Sequence, residues 1–202
     1  MTDEILKKTI KVIKSVFTHP LSKSQLLVTN LGLIDLSEDK EIDLRNSYIG
    51  SKVDLSEKNL TGAIFIESTI QSGLLQRANL TNTDFSAATL QSAHFEQACF
   101  LNSNLSNSVI QSAHFEKADL RGAIFNKALL QSVHLEKANL QDASFKNATL
   151  QGVKFNKSNL VGADFTDANI QGCDFTGARI DRTTKIPEKI AAAIRKEVTS
   201  NG

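Results

Sequence analysis

Three histidines recur at a fixed spacing and offer the residue types best suited to chemistry in this sequence. His94, His114 and His134 lie twenty residues apart, and a glutamate follows each of them two positions later. Imidazole and carboxylate groups can bind zinc or exchange protons in general acid-base catalysis. Zinc, however, requires ligand nitrogens about 2.0 to 2.1 Å from a single point. The element that carries the histidines therefore decides what they can do.

Glutamines and lysines share the spacing of the histidines. The sequence Gln-Ser-Ala-His-Phe-Glu occurs at 91–96 and again at 111–116, and lysines follow the second and third glutamates. We call this predicted binding surface the His-Glu-Lys face. Its members are Gln91, His94, Glu96, Gln111, His114, Glu116, Lys117, Gln131, His134, Glu136 and Lys137.

A period of five residues underlies the period of twenty. Every fifth residue from Leu60 to Ile180 is Leu, Ile or Phe, and the residue two places earlier is nearly always small. A helix places apolar residues every 3.6 positions and a half-buried strand every second one, so this period predicts a chain that turns at each repeat. Four repeats then complete one circuit, and stacked circuits form a solenoid.

The clearest repeats are Ala78-Asn79-Leu80, Ala118-Asp119-Leu120, Ala138-Asn139-Leu140 and Ala163-Asp164-Phe165. They resemble the pentapeptide-repeat family, in which a small residue and Asp or Asn precede Leu or Phe. The resemblance covers residues 42–180 and implies an all-β fold, a right-handed quadrilateral parallel β-helix. With about 4.8 Å per coil, about seven coils would form a rod about 34 Å long.

The core of this rod is predicted to contain two facing stacks of aromatic rings. Phe65, Phe85, Phe125, Phe145 and Phe165 share one side, and Phe95, Phe115, Phe155 and Phe175 share the opposite side.

Two departures from the five-residue pattern predict irregular coils before residue 60. Lys58 occupies an inward position that is otherwise small, and six residues rather than five separate Ile49 from Leu55, which indicates a bulge.

The sequence patterns at the two ends of the chain predict short helices that cover the ends of the solenoid. Residues 1–40 contain an amphipathic helix and a capping segment, residues 41–180 form the β-helix, and residues 181–202 form a second helix. The apolar stripe of the last helix is either an end cap or a contact for a homodimer. It consists of Ile190, Ile194 and Val198.

A straight column of histidines does not converge on one point, so the sequence favours a solvated, mutually paired column over a metal or catalytic site. No metal and no cofactor are expected. A second candidate surface is an outward apolar patch of Ile64, Ile66 and Ile124. Isolated exposed apolar residues are the ordinary alternative interpretation of that patch.

Composition limits the possible functions. Residues 42–180 contain twelve basic and thirteen acidic residues, so no direct binding to nucleic acid is expected. The first residues lack the apolar run of a secretory signal and no segment reaches membrane-spanning length, so we expect a cytoplasmic protein without membrane contact. No phosphate-binding glycine loop, nucleophile elbow or cysteine pair at metal spacing is present, and an enzyme is not expected.

These features favour a non-enzymatic protein-binding scaffold or regulator that uses the outer faces of the rod. The resemblance implies two alternatives. Some members of the family mimic DNA and bind DNA gyrase, which protects it from quinolones, and others are bacterial effectors that act in a host cell. DNA mimicry requires an acidic rod, whereas this sequence is near neutral. The sequence identifies no protein partner.

Overall fold

The chain forms an all-parallel β-solenoid of about six turns in the part that the structure describes. The structure, a computed structural model, describes residues 42–51, 53–188 and Ala191. One short strand from each coil contributes to a single parallel sheet with the strands in sequence order. The strands are β1 (Tyr48–Ile49), β2 (Thr69–Gln71), β3 (Thr89–Gln91), β4 (Val109–Gln111), β5 (Leu129–Gln131), β6 (Thr149–Gln151) and β7 (Asn169–Gln171).

The pairing register confirms the period of twenty. Leu90 of β3 pairs with Ile110 of β4, and the isolated parallel bridges from Asp54–Leu74 to Asn159–Arg179 join the other sides of the coils at the same offset. The offset is twenty-one at the start of the rod, where Ile49 pairs with Ile70, and it becomes twenty where Asp54 pairs with Leu74. One extra residue is therefore accommodated between Ile49 and Asp54, as the six-residue spacing predicts.

The aromatic stacks form as the sequence predicts. The rings of Phe145 and Phe165 are parallel with centroids 4.8 Å apart, and Phe65 and Phe85 stack at 4.4 Å. The two stacks meet edge to face, since the rings of Phe145 and Phe155 lie 5.9 Å apart at 89°. Both geometries are favourable for aromatic pairs. The core is therefore filled by side chains across its whole width.

A left-handed backbone conformation turns the chain at each corner. The second residue after each central Leu, Ile or Phe from Leu55 to Phe175 has a positive φ, for example 61° at both Lys117 and Lys137. Glycine adopts this conformation most readily. At Gly162, with φ +73°, a Cβ atom would also lie 2.1 Å from Oδ1 of Asp142. The corners position the lysine side chains on the outside of the rod, beside the glutamates.

Lys58 does not open the coil in which it lies. Its side chain is half-buried at the inward position, and the backbone ladder continues past it, because the amide of Asn79 donates to the carbonyl of Lys58 at 2.9 Å. The ammonium lies close enough to Asp54 to contribute to the lowering of that residue's pKa, although hydrogen bonds from Ser56 are the main cause. The lysine thus directs its charge outward.

The last parallel bridge of the rod joins Lys185 to Asp164, whose side chain is buried. Asp164 accepts hydrogen bonds from the amide and hydroxyl of Thr166 at 3.0 and 2.5 Å, and from Nζ of Lys185 at 2.9 Å. Lys146 approaches the same carboxylate at 3.4 Å. Burial alone would raise the pKa of Asp164, but the hydrogen bonds from Thr166 and Lys185 hold it well below its usual value. The ionised form therefore stabilises this end of the rod.

Replacing Asp164 with asparagine is expected to reduce the free energy of unfolding at neutral pH and to weaken its dependence on pH. A carboxyl with a lowered pKa in the folded state stabilises above its unfolded pKa of about 3.9 and loses that contribution as the pH falls. Urea unfolding of both proteins at pH 7 and pH 3 tests this, since the difference should shrink by about 1 kcal/mol at pH 3. A difference that is the same at both pH values would contradict the expectation.

Several predictions about the ends concern residues outside the described part of the chain. The helix and capping segment of residues 1–40, and the stripe of Ile190, Ile194 and Val198, lie there. The amide of Ala191 donates to the carbonyl of Pro187 at 3.1 Å, which is the pairing of a first helical turn. Within the described residues no helix has the length and apolar content to cross a membrane.

Candidate interaction face

Backbone pairing fixes the positions of the three histidines. The amide of His114 donates to the carbonyl of Ala93 at 2.9 Å, and the carbonyl of His114 accepts from the amide of Phe95 at 2.7 Å. Parallel bridges join His94 to His114 and His114 to His134. Because each histidine precedes a buried residue, such as Phe115, its side chain lies on the outer surface, half-exposed. The three imidazoles consequently occupy equivalent sites on successive coils.

The imidazole rings stack along the rod. The ring centroids of His94 and His114 lie 5.0 Å apart with an interplanar angle of 4°, and those of His114 and His134 lie 4.8 Å apart at 19°. These separations are close to the spacing of paired strands, about 4.8 Å. The predicted column is thus confirmed, with one pair of rings almost parallel and the other at an interplanar angle of 19°.

Each histidine is paired with the glutamate of its own repeat. Nδ1 lies 3.0 Å from Oε1 in the pair of His94 and Glu96, and 3.0 Å in the pair of His114 and Glu116. The corresponding distance from His134 to Glu136 is 3.2 Å. Residues two positions apart on an extended segment share one face, which accounts for the pairing. The side chains are about one-third exposed, so solvent reaches both groups.

The lysines and glutamines of the face contribute differently. Lys117 and Lys137 are exposed and form no ion pair with another described residue within 4.0 Å. The predicted pairing is therefore limited to histidine and glutamate. In the glutamine column, Nε2 of Gln111 donates to Oε1 of Gln131 at 3.0 Å, while Gln91 forms no such bond with Gln111. The face thus offers two free ammonium groups beside partly neutralised carboxylates.

The sequence did not predict the state of the second glutamate oxygens. Oε2 of Glu96, Glu116 and Glu136 is buried in each case and has no hydrogen-bond donor among the described residues. A buried acceptor without a donor costs about 1 to 3 kcal/mol. The spacing of the glutamates could indicate that they are aligned, but the burial of one oxygen depends on the side-chain rotamer. Three carboxylates in one column therefore remain incompletely compensated.

The apolar patch is less continuous than its three members suggest. Ile64 and Ile66 are half-buried neighbours, whereas Ile124 lies on the same side, three coils along the rod, and is 36% exposed. Asp84 and Asn104 occupy the intervening positions of the column. Two polar side chains thus separate Ile124 from the other isoleucines, and the patch remains a prediction.

Ligand geometry distinguishes one position in the histidine column. One ligand atom from each of His114, Glu116 and His134 lies within 4.8 Å of the other two. Oε1 of Glu116 is 3.0 Å from Nδ1 of His114 and 3.8 Å from Nδ1 of His134. Oε1 of Glu116 therefore lies within 4.0 Å of an imidazole nitrogen on each of two adjacent coils.

Comparison with known families places these features in context. A model described as the pentapeptide repeat region matches residues 108–185, and a second, described as pentapeptide repeats in eight copies, matches 74–107 and 88–127. Together they span more than half of the chain. The chain belongs to the pentapeptide-repeat family. The matches to both models therefore confirm the resemblance that the five-residue period of this pentapeptide-repeat protein indicates.

Two solved structures and one curated protein are similar to parts of this chain. QnrB1, a plasmid-mediated fluoroquinolone resistance protein, is 22% identical with a TM-score of 0.40, covering 79% of this chain and 91% of its own. Rfr23 from the cyanobacterium Cyanothece 51142 is 17% identical with a TM-score of 0.29, covering 72% and 88%. A putative BTB/POZ domain-containing protein, L35 of Acanthamoeba polyphaga mimivirus, is 32% identical over 75 residues, which are 36% of this chain. The match spans 15% of the length of that relative.

Proposed function

We propose that this pentapeptide-repeat protein is a non-enzymatic protein-binding scaffold or regulator of the cytoplasm. The observation that carries the proposal is the closed core. The central residues of the repeats from Leu60 to Phe165 are at most 2% exposed, so the interior offers no cleft for a substrate. Functional groups are consequently displayed on the outer surface, where a rigid backbone holds them at regular spacing.

The His-Glu-Lys face is the surface that we propose for the partner. It combines free ammonium groups at Lys117 and Lys137 with the carboxylate column of Glu96, Glu116 and Glu136. A partner with a complementary row of alternating charge would gain in association rate and specificity. The side chains of the face are attached to paired backbone, so binding requires little ordering of the rod.

The DNA-mimicry alternative receives less support from the charges of this rod. Residues 42–180 have twelve basic and thirteen acidic residues, and Lys117, Lys137 and Lys157 lie in one exposed column. A continuous anionic surface, which DNA mimicry requires, is interrupted there. Inhibition of DNA gyrase in a supercoiling assay at low micromolar protein would reverse this ranking. A translocation reporter fused to the amino terminus would test the effector alternative.

We infer a right-handed β-helix of about seven coils, with a helix at each end. The helical hydrogen bond at Ala191 supports a helix that begins near Pro187. The stripe of Ile190, Ile194 and Val198 would then cover the last coil or contact a second copy of the chain.

Exchanging two charges on the proposed face is expected to abolish partner capture. The variant carries Glu116→Lys and Lys137→Glu, which preserves the net charge while inverting the local pattern. A pull-down with the purified full chain as bait, followed by mass spectrometry, compares the variant with the unchanged protein. The same partner should be enriched by the unchanged protein and lost by the variant.

A matched control exchanges charges on the opposite corner of the rod. Glu67→Lys and Lys127→Glu also preserve the net charge, and both residues are exposed in one column. This variant should capture the partner normally. Loss of the partner in the control alone would contradict the assignment of the face. Absence of any partner that survives competition with untagged protein would contradict the proposed function itself.

A further inference from the structure

One carboxylate in the histidine column lies between two imidazoles. Oε1 of Glu116 is 3.0 Å from Nδ1 of His114 and 3.8 Å from Nδ1 of His134. Glu96, one coil earlier, approaches His94 at 3.0 Å but has no second imidazole nitrogen within 4.0 Å. Among the described residues, the set of His114, Glu116 and His134 is thus the one group of three with closely spaced ligand atoms.

The orientation of the rings supports the same position. His114 and His134 are tilted by 19° with their centroids 4.8 Å apart, whereas His94 and His114 are nearly parallel at 4° and 5.0 Å. The pair of His114 and His134 thus departs from the parallel arrangement of His94 and His114. The side chains of His114 and His134 are 32% and 27% exposed, so an ion has access to both from solvent.

The electrostatics of Glu116 also favour a cation. Its Oε2 atom is buried without a donor, and Glu96 and Glu136 have the same unpaired oxygen on the adjacent coils. A neutral histidine can donate one proton to Oε1 and leaves the negative charge in place. A cation bound at Oε1 would neutralise the carboxylate and reduce repulsion within the column.

We propose that His114, Glu116 and His134 bind one divalent first-row transition-metal ion, with Zn²⁺ as the reference ion. Two imidazole nitrogens and one carboxylate oxygen suit zinc, nickel or copper, whereas Ca²⁺ and Mg²⁺ prefer oxygen ligands alone. Zinc ligands at about 2.0 to 2.2 Å from the ion in a tetrahedron lie about 3.4 Å from one another. The observed separations of 3.0 and 3.8 Å bracket that value.

Binding requires a small closure of the site. The ligand atoms span up to 4.8 Å, so the imidazoles of His114 and His134 rotate toward Glu116 as the ion enters. Three protein ligands leave a fourth position for water. The proposal goes beyond the scaffold function and is independent of it, since zinc binding is measured on the isolated protein without a partner.

The test is calorimetric titration of the full chain with zinc chloride at pH 7.4. All proteins carry Cys99→Ser and Cys173→Ser, because thiols bind zinc and these are the two cysteines of the chain. Loss of an outer-shell partner typically costs about 10- to 100-fold in metal affinity, so loss of a direct ligand should weaken binding at least about tenfold. One zinc ion should bind per chain, and Glu116→Gln should raise the dissociation constant by at least that factor.

Glu96→Gln is the matched control, since it removes the same charge one coil away from the ion without removing a ligand, and it should raise the dissociation constant by much less than Glu116→Gln does. Co²⁺ supplies a second measurement, in which His134→Asn should abolish the visible absorption of a four-coordinate site. Circular dichroism shows whether each variant is folded. No zinc binding, binding that survives both Glu116→Gln and His134→Asn, or equal losses with Glu96→Gln and Glu116→Gln would each overturn the proposal.

Discussion

Replacing Phe145 with alanine is expected to lower the free energy of unfolding by about 3 to 5 kcal/mol. Phe145 is fully buried in the middle of an aromatic stack, with Phe125 and Phe165 both 4.8 Å away. It also meets Phe155 of the opposite stack edge to face at 5.9 Å. Alanine would remove contacts with both stacks and leave a cavity that the paired backbone cannot close.

Phe145→Leu is the matched control for this prediction. Leucine occurs naturally in the same column at Leu105, which is fully buried between Phe85 and Phe125 on the flanking coils. The leucine variant should therefore lose clearly less stability than the alanine variant. Equilibrium unfolding in guanidinium chloride, followed by circular dichroism, measures all three proteins. If alanine and leucine at 145 cost the same, the stack does not contribute what its geometry implies.

Replacing Ala138 with lysine is expected to destabilise the rod by at least about 3 kcal/mol, because an ion buried without a partner carries a penalty of several kcal/mol. Ala138 is 1% exposed and lies at the small inward position of its repeat. Backbone ladders join its coil to both neighbours, since Asn139 donates to Ala118 at 2.9 Å and Asn159 donates to Ala138 at 2.9 Å. A long side chain would have to separate these coils or remain among apolar groups.

Lys58 provides the comparison within the same protein, because it occupies the same column at the irregular start of the rod. There the side chain of Lys58 is half-buried next to the change in pairing register, and its ammonium group interacts electrostatically with the carboxylate of Asp54. Lys58→Ala should therefore leave the protein at least as stable as before. Thermal unfolding compares the stabilities of Ala138→Lys and Lys58→Ala with that of the unchanged protein. An Ala138→Lys protein as stable as the unchanged chain would contradict the expected destabilisation.

Most of the fold follows from the sequence because one short pattern repeats many times. The period fixes the inward residues, and the buried alternation of Ala113 and Phe115 reflects it directly. The extra residue between Ile49 and Asp54 could also be located, since a single interruption of a regular pattern stands out. The number of turns does not follow from the sequence, because the repeats before Leu60 are irregular and do not mark where the rod begins.

Side-chain geometry is the part that the sequence could not supply. The rings of Phe95 and Phe100 lie 5.1 Å apart at an interplanar angle of 74°. On the same side of the rod as Phe100, Arg121 binds both oxygens of Asp119 at 2.8 and 2.6 Å. Both contacts depend on side-chain rotamers, which the spacing of residue types does not determine.

The candidate site shows the same division between what could and could not be predicted. The alignment of His94, His114 and His134 follows from their spacing, and the structure confirms it. The position of Glu116 between two imidazoles, the tilt of one pair of rings and the buried Oε2 atoms do not follow from any pattern of residue types. Small rotations of side chains produce them, and these rotations decide the metal-binding proposal.

The most direct test of the scaffold proposal is a lysine footprint of the complex with its captured partner. Acetylation with an amine-reactive ester, read by mass spectrometry, reports the accessibility of each lysine in the free and bound protein. Lys117 and Lys137 lie on the proposed face, whereas Lys127 and Lys146 are exposed elsewhere on the rod. The proposal predicts that the partner protects Lys117 and Lys137 and leaves Lys127 and Lys146 reactive. Protection of Lys127 and Lys146, with Lys117 and Lys137 still reactive, would contradict it.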